Sequence, residues 1–256
     1  MPDLLNGKTA LVLGVANRWS LAYAIAKAYR REGARVLLTY QSERQQQTVE
    51  ELAQELGAAR VLPCDVAQDA EIATLAEAVK ADAGRLDAVV HSIAFANRED
   101  LNRPFVETSR AGFLLAQDVS AYSLVAVARA AAPLMANGGA ILTLTYLGSI
   151  RVIPNYNVMG VAKASLEAAV RYLASDLGPS NIRVNAISAG PVKTASARGV
   201  KDFSKMLEGM PEKAPLRRNT DPGEVADAAV FLASDLGRGV TGNVLFVDAG
   251  YHLVGL

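Results

Sequence analysis

The sequence predicts an α/β fold, a doubly wound parallel sheet with helices on both faces. Short apolar runs of strand length alternate with longer helix-patterned segments along all 256 residues, the order that builds βαβ units. The first run, Lys8 to Gly14 (KTALVLG), is apolar without alternation, as a strand covered on both faces must be. Although 256 residues is long for one domain, α/β folds reach that size as single units. No linker, internal repeat or low-complexity tract divides the chain, so residues 1–256 read as one domain.

Beyond the first strand, a helix runs from about Ser20 to Glu32 and stops at Gly33. A second strand (Arg35 to Tyr40), a helix (Glu43 to Leu56, ended by Gly57) and a third strand (Arg60 to Pro63) follow. Glycine just past a helical pattern is its usual stop signal. Glu71 to Asp82 reads as helix and Leu86 to His91 as the fourth strand. The alternation continues through Ala140 to Leu144, Val158 to Leu177, Ile182 to Ile187, Val225 to Ser234 and Val244 to Val247.

Apolar residues make up 51% and charged residues 20% of the chain, the composition of a soluble protein with a large core. Lys plus Arg and Asp plus Glu are equal at 26 each, so no global charge points to nucleic acid or an anionic membrane. The opening MPDLLNGK has an acidic residue and no apolar run, and no signal peptide is expected. The most apolar helix, Ser123 to Met135, is interrupted by Arg129 and Pro133 and reads as too short and broken to span a bilayer. One cysteine, Cys64, excludes an internal disulfide and fits a reducing cytoplasm. It reads as a small buried filler. His91 and His252 sit in no recognisable partner motif, and no metal is expected.

In a doubly wound sheet, ligands bind outside the carboxyl ends of the strands. After strand one, the turn Gly14 to Ala22 opens directly into a helix N-terminus, where backbone N–H groups and the helix dipole favour a pyrophosphate. Only Gly14 of the usual G-x-G-x-x-G pattern is present, with Ala16, Ser20 and Ala22 as small stand-ins, and a tight structural turn fits the segment as well. After strand two, Tyr40-Gln41-Ser42 offers neither a carboxylate for a ribose 2′-hydroxyl nor a cation for a 2′-phosphate. Arg44 is the nearby cation, and the choice between NADH and NADPH stays open here. After strand three, Asp65 suits either an adenine amino group or the N-cap of the next helix. His91 to Ala96 brings small residues to the end of strand four. Ser188 to Thr194 forms a Gly-Pro turn that suits a carboxamide or plain reversal of the chain.

Between strand Ala140–Leu144 and the following helix lies YLGSIRVIPNYNVMGVAK, Tyr146 to Lys163. Asn155 or Asn157 is expected to cap that helix. Tyr156 and Lys163 are almost two turns apart, a rise of about 10.5 Å, so they share one face. A neutral phenol can meet charge developing on a carbonyl oxygen. The ammonium can hold ribose hydroxyls and is expected to lower the tyrosine pKa. Taken alone, a tyrosine and a lysine on one helix face are ordinary half-buried and surface residues.

Taken together, Gly14-x5-Ser20, TYQ at 39–41, CDV at 64–66, HSIAFA at 91–96, LTLTYLG at 142–148, IPNYNVMGVAKASLEA at 153–168, RVNAISAGPVKT at 183–194 and VDAG at 247–250 resemble the short-chain dehydrogenase/reductase superfamily. Within it they closely resemble NADH-dependent enoyl-(acyl carrier protein) reductases of the FabI type, over about Leu5 to Val254. Most of the superfamily has its lysine four residues after the tyrosine. Here that position is Gly160, and the lysine is Lys163, the wider spacing of the enoyl reductases.

The resemblance implies a Rossmann-like domain and a cytoplasmic enzyme that reduces a trans-2-enoyl thioester on acyl carrier protein. Hydride would pass from NADH to the β-carbon, leaving an enolate. Tyr156 would hydrogen-bond the enolate oxygen, Lys163 would hold the nicotinamide ribose, and Tyr146 would support. Carried over by position, the cofactor contacts are Gly14, Ser20, Leu21, Gln41, Asp65, Val66, Ile93, Lys163, Val192, Lys193, Thr194, Ala195 and Ser196. Gln41, where NADPH-preferring relatives are basic, favours NADH without excluding NADPH. Ala96, Met159 and Phe203, with both tyrosines, are candidate acyl contacts, although Met159 and Phe203 suit plain core packing too.

A lid is expected over 195–210, whose amphipathic pattern is Val200, Phe203, Met206 and Leu207. Arg198, Lys201 and Lys205 form a basic patch for acyl carrier protein or an ordinary solvated face. The family implies a homotetramer, with the tail from His252 to Leu256 at a subunit contact or disordered. A carbonyl reductase of the same superfamily is the alternative, with Thr143 or Thr145 paired to Tyr156. A dinucleotide sensor without catalysis is another.

Overall fold

The structure, a computed structural model, describes residues 3–194 and 203–254. Apolar runs of strand length suit strands covered on both faces, and seven runs form one parallel sheet, the first and last in its order only partly buried. The strands are β1 (Thr9–Leu13), β2 (Arg35–Tyr40), β3 (Arg60–Pro63), β4 (Ala88–His91), β5 (Gly139–Thr145), β6 (Ile182–Ala189) and β7 (Val244–Val247), in the spatial order β3-β2-β1-β4-β5-β6-β7. Strand β1 pairs on one side with β2 (Val12 beside Leu38) and on the other with β4 (Leu13 beside His91). The winding therefore reverses between β1 and β4, which opens a crevice at their carboxyl ends.

The helices are α1 (Leu21–Arg31), α2 (Glu43–Leu56), α3 (Asp69–Ala83), α4 (Arg98–Asn102), α5 (Arg110–Gln117), α6 (Ser123–Ala131), α7 (Asn157–Leu177), α8 (Phe203–Lys213) and α9 (Pro222–Ala233). Successive strand residues face opposite sides of the sheet, and β1 shows the consequence. Ala10 and Val12 pack with α1, α2 and α9, while Leu11 and Leu13 pack with α3, α6 and α7. Cys64, 3% exposed, sits in the second of these cores, where burial pushes its thiol pKa up to about 12. It is the filler expected.

Local chemistry sets the helix ends. Ser20 caps α1 by accepting from Tyr23 N–H at 3.3 Å. Gly57 and Gly84 close α2 and α3 in the left-handed region, where a side chain would be strained. The Asp65 cap is overturned: α3 begins at Asp69 with Gln68 at its cap, and the Asp65 carboxylate instead accepts from Ala67 N–H at 3.1 Å. Capping of α7 by asparagine is overturned as well. Both Asn155 (φ 62) and Asn157 (φ 38) lie in the left-handed region, and Tyr156 occupies the cap position. The Asn157 amide donates across to the carbonyls of Leu101 (2.9 Å) and Arg103 (2.7 Å), tying the start of α7 to the end of α4.

The segment from Ser123 to Met135 is also less broken than its sequence suggests. A π-helical turn at Asp118–Tyr122 joins α5 to α6, and the helical run Arg110–Leu134 spans 25 residues. By length and composition alone that run would cross a membrane, but half of its apolar window is buried inside the fold, with Leu124, Val127 and Ala128 in the core.

Helix α9 packs on α1 beside the first strand end, and its start is a capping box. The Asp221 carboxylate accepts from Gly223 N–H at 2.7 Å, and Glu224 accepts from Asp221 N–H at 2.9 Å. Replacing Asp221 by alanine is expected to remove about 1 kcal/mol of stability. In thermal unfolding that corresponds to a drop of about 2–4 °C in Tm.

Candidate active site

The crevice at the switch point continues into a cleft of about 440 Å³ under α7 and α8. Its floor depends on one close approach. Gly14 ends β1 at φ +95, and a Cβ there would lie 2.0 Å from the Ser92 carbonyl oxygen at the end of β4. Only glycine lets the two strand ends come so near. Ser20 and Leu21, at the N-terminus of α1, border the same floor together with Ile93 and Ala96 from the segment after β4. Val192 and Thr194 close the side below β6.

Three of the sequence-nominated residues meet at the inner end. Tyr146 and Tyr156 stand edge to face, ring centroids 5.0 Å apart at 73°. Lys163 is 5% exposed and donates through Nζ to the Leu144 carbonyl at 2.7 Å. All three line the cleft, as does Met159. Gly148 and Gly160 make room for the tyrosine loop. A Cβ on Gly148 would lie 2.4 Å from the Tyr156 ring, and one on Gly160 would lie 2.7 Å from the Gly148 carbonyl oxygen. A lysine at position 160, as in most short-chain reductases, has no space here.

Burial sets the electrostatics. Desolvation raises the Tyr156 pKa above the ordinary phenol range, and the neighbouring Tyr146 and Glu167 add to the rise. Tyr146 is raised likewise, by burial first and then by Tyr251 and Asp248. The expected lowering of Tyr156 by Lys163 is overturned: burial, Tyr146 and Glu167 all raise it, and Lys163 is not among the groups that shift it. Both phenols are therefore neutral donors at pH 7. Burial lowers Lys163 to about 8, with Glu167 acting in the opposite direction.

Neither threonine available to a carbonyl reductase is free to serve Tyr156. Thr143 Oγ1 lies 2.9 Å from His91 Nδ1 and donates to the His91 carbonyl at 3.1 Å. Thr145 Oγ1 donates to Glu167 at 2.6 Å. His91 is fully buried and lowered to about 3, by burial first and then by Lys163, and its Nε2 lies 2.8 Å from Ser123 Oγ.

Several nominated residues lie elsewhere. Gln41, Asp65 and Val66 follow β2 and β3 along the same sheet edge, beyond this cleft. Gln41 is exposed, its N–H bound to Gln45 at 3.1 Å, and Val66 is part of the core under α3. Lys193 is exposed while its neighbours Val192 and Thr194 line the cleft. Ala195, Ser196, Val200, Arg198 and Lys201 fall outside the described residues, and Phe203 is described only as the first residue of α8.

Two features escaped the sequence. Met206 of α8, read from the sequence only as part of the lid's amphipathic pattern, reaches the inner end, where Tyr146 donates to its sulfur at 3.3 Å. Ser120, in the π-helical turn, accepts from Phe95 N–H at 2.9 Å and donates to the Phe95 carbonyl at 3.0 Å, which fixes the segment after β4. A π-helical turn leaves no mark in composition or in a 3.6-residue periodicity.

The cleft suits a dinucleotide on its own features. A glycine-permitted approach at the switch point, a helix N-terminus for phosphate and a buried ammonium for ribose hydroxyls lie along one path.

Residues 14–252 match the family described as enoyl-(acyl carrier protein) reductase. An NADH-dependent enoyl-(acyl carrier protein) reductase, FabI, of Bacillus cereus is 57% identical over 255 residues, 99% of this chain and 100% of the relative. A Staphylococcus aureus FabI that uses NADPH is 51% identical over 252 residues, 98% of each chain. The crystal structure of the Bacillus cereus enoyl-acyl carrier protein reductase, with NADP+ and indole naphthyridinone, superposes with a TM-score of 0.98 at 57% identity and covers 100% of both chains.

Trp19, the one tryptophan in the chain, is 62% exposed on the turn into α1. NADH binding is expected to quench its fluorescence by energy transfer. Gly14→Ala, with its Cβ forced onto the Ser92 carbonyl, is expected to weaken that binding at least tenfold. The measurement is a fluorescence titration, with circular dichroism confirming that the variant folds.

Proposed function

We infer the chemistry of this cleft from the premise that the chain belongs to the enoyl-(acyl carrier protein) reductase family. The protein is an oxidoreductase of fatty acid biosynthesis that reduces enoyl thioesters with NADH or NADPH, and acyl carrier protein bears its substrate. The observation that carries our site assignment is the meeting of Tyr156, Tyr146 and Lys163 at the inner end of a cleft floored by Gly14.

When bound, the reduced nicotinamide supplies a hydride to the β-carbon of the substrate. Tyr156 donates a hydrogen bond to the thioester oxygen as negative charge gathers there, and its raised pKa keeps it a donor throughout. Tyr146 packs edge-on against it and fixes the ring. Lys163, anchored on the Leu144 carbonyl, presents its remaining N–H bonds to the ribose hydroxyls. Gly14, Ser20 and Leu21 take the pyrophosphate, and Ile93, Val192 and Thr194 flank the nicotinamide. Asp65 and Val66 take the adenine end. Lys193 contributes through its backbone, since its side chain is exposed. Met159 and Ala96 line the acyl path, and Ser120 holds Met159 from behind through a 3.7 Å contact to its sulfur. The contact of Met206 with Tyr146 supports a lid role for the described part of this segment, residues 203–210.

Gln41 supports a preference for NADH, because a neutral amide at the end of β2 gives a 2′-phosphate no cation. A homotetramer is supported by exposed apolar side chains on two helices, Leu114 (60%) on α5 and Tyr172 (75%) on α7, and by Leu253 (73%) near the C-terminus. Replacing Leu114 and Tyr172 by lysine is expected to yield smaller species in sedimentation. The lone buried thiol supports a reducing, cytoplasmic setting.

The site assignment is tested by NADH oxidation with crotonyl and acetoacetyl thioesters. Only the crotonyl substrate is expected to react, and Tyr156→Phe is expected to lose about a hundredfold or more in kcat. Reaction with acetoacetyl thioester alone would make this site a carbonyl reductase instead.

A further inference from the structure

One buried charge in this region has no direct part in the cleft. Glu167 is 7% exposed on α7, one turn after Lys163 and on the same face, yet it does not line the cleft. Consecutive residues of β5 grip the two side chains, Leu144 through its carbonyl to Lys163 and Thr145 through its hydroxyl to Glu167. A carboxylate taken out of water is strongly disfavoured unless it is paired, and one neutral hydroxyl offsets little of that.

The opposite charge that acts with it is the ammonium one helical turn away, with no direct ion pair between the two among the described residues. The titratable groups that face Lys163 are His91 from β4, Tyr156 at the cap of α7, Glu167 within that helix, and Tyr146 beyond β5. His91 is neutral by its burial, and both phenols are neutral at physiological pH. Asp118, at the π-helical turn, is exposed, and Asp248 acts on Tyr146. Among the described residues, Glu167 is the one anion that acts on Lys163.

We propose that Glu167 is a positioning residue for cofactor binding, a buried counter-charge fixed by Thr145 that keeps Lys163 protonated where it meets the ribose. The inference rests on the reading of Lys163 given above. Burial alone pulls the lysine downward, and Glu167 opposes that pull. Protonation then holds through neutral pH and is lost as pH rises through about 8.

The test is the NADH dissociation constant as a function of pH, from Trp19 quenching, for the wild type and three variants. The wild type is expected to bind evenly below pH 7 and to weaken on the alkaline side. Glu167→Gln, whose amide carbonyl still accepts from Thr145, is expected to move that limb about 1–2 pH units lower. At pH 8 this appears as a rise of about five- to fiftyfold in KM for NADH, with a change of less than about twofold in kcat at saturating NADH. Thr145→Val keeps the charge but frees the carboxylate, and a smaller shift in the same direction is expected. Should Glu167→Gln fail to fold, Thr145→Val carries the test. A limb left in place by whichever of these variants folds overturns the proposal and leaves the role of Lys163 intact. Lys163→Gln separates the two readings: a limb that persists in it removes the assignment of Lys163, and the proposal with it.

Discussion

The closeness of two strand ends sets everything else in this protein. Strands β1 and β4 finish side by side, and the chain leaves one past Gly14 and the other past Ser92 with no room for a single methyl group between them. That contact brings the N-terminus of α1 opposite the segment that leads to Ala96. It also lets α7, packed against β5 and β6, aim its first two turns at the same place. A sheet order without a reversal at β1 and β4 would scatter these groups along an edge.

Around that contact the protein spends stability on buried polarity. Lys163, Glu167, His91, Thr143 and Thr145 are all under 8% exposed. Each has a partner, and the partners come from β4, β5, α6 and α7. Side chains tied on several sides cannot drift, so the ammonium and the phenol keep a fixed separation. An enzyme that stabilises charge on one oxygen needs donors already in place, since reorganising them during reaction would forfeit most of the gain.

How much of this was legible in the sequence depends on what each feature writes into it. Strand limits at β2, β3 and β7 and helix limits at α2 were readable to the residue, because apolar runs and glycine stops are local. The Tyr156–Lys163 pair was readable from helix geometry, and its meaning came from resemblance to the enoyl reductases. Partnerships across the chain were not. Thr145 with Glu167, Asn157 with the end of α4, and Met206 with Tyr146 join residues 22, 56 and 60 positions apart, and nothing in a single sequence pairs them. The tyrosine pKa is hidden for the same reason: depth of burial raises it, and depth belongs to the fold.

The wide turn at Asp118–Tyr122 carries a consequence for how this chain tolerates change in length. It accommodates one residue more than regular α-helix would, between α5 and α6. Removing one residue of the turn would restore regular α-helical winding and leave α5 and α6 in nearly the same phase, because a π-helical turn covers about the same rotation with one residue more. Ala116 would keep its place in the core, while the bulge that holds Ser120 on Phe95 would be lost. The turn is therefore where a one-residue change in length costs the packing of the helices least and the segment after β4 most. Homologous chains that differ by one residue here are expected to carry the gap at this turn.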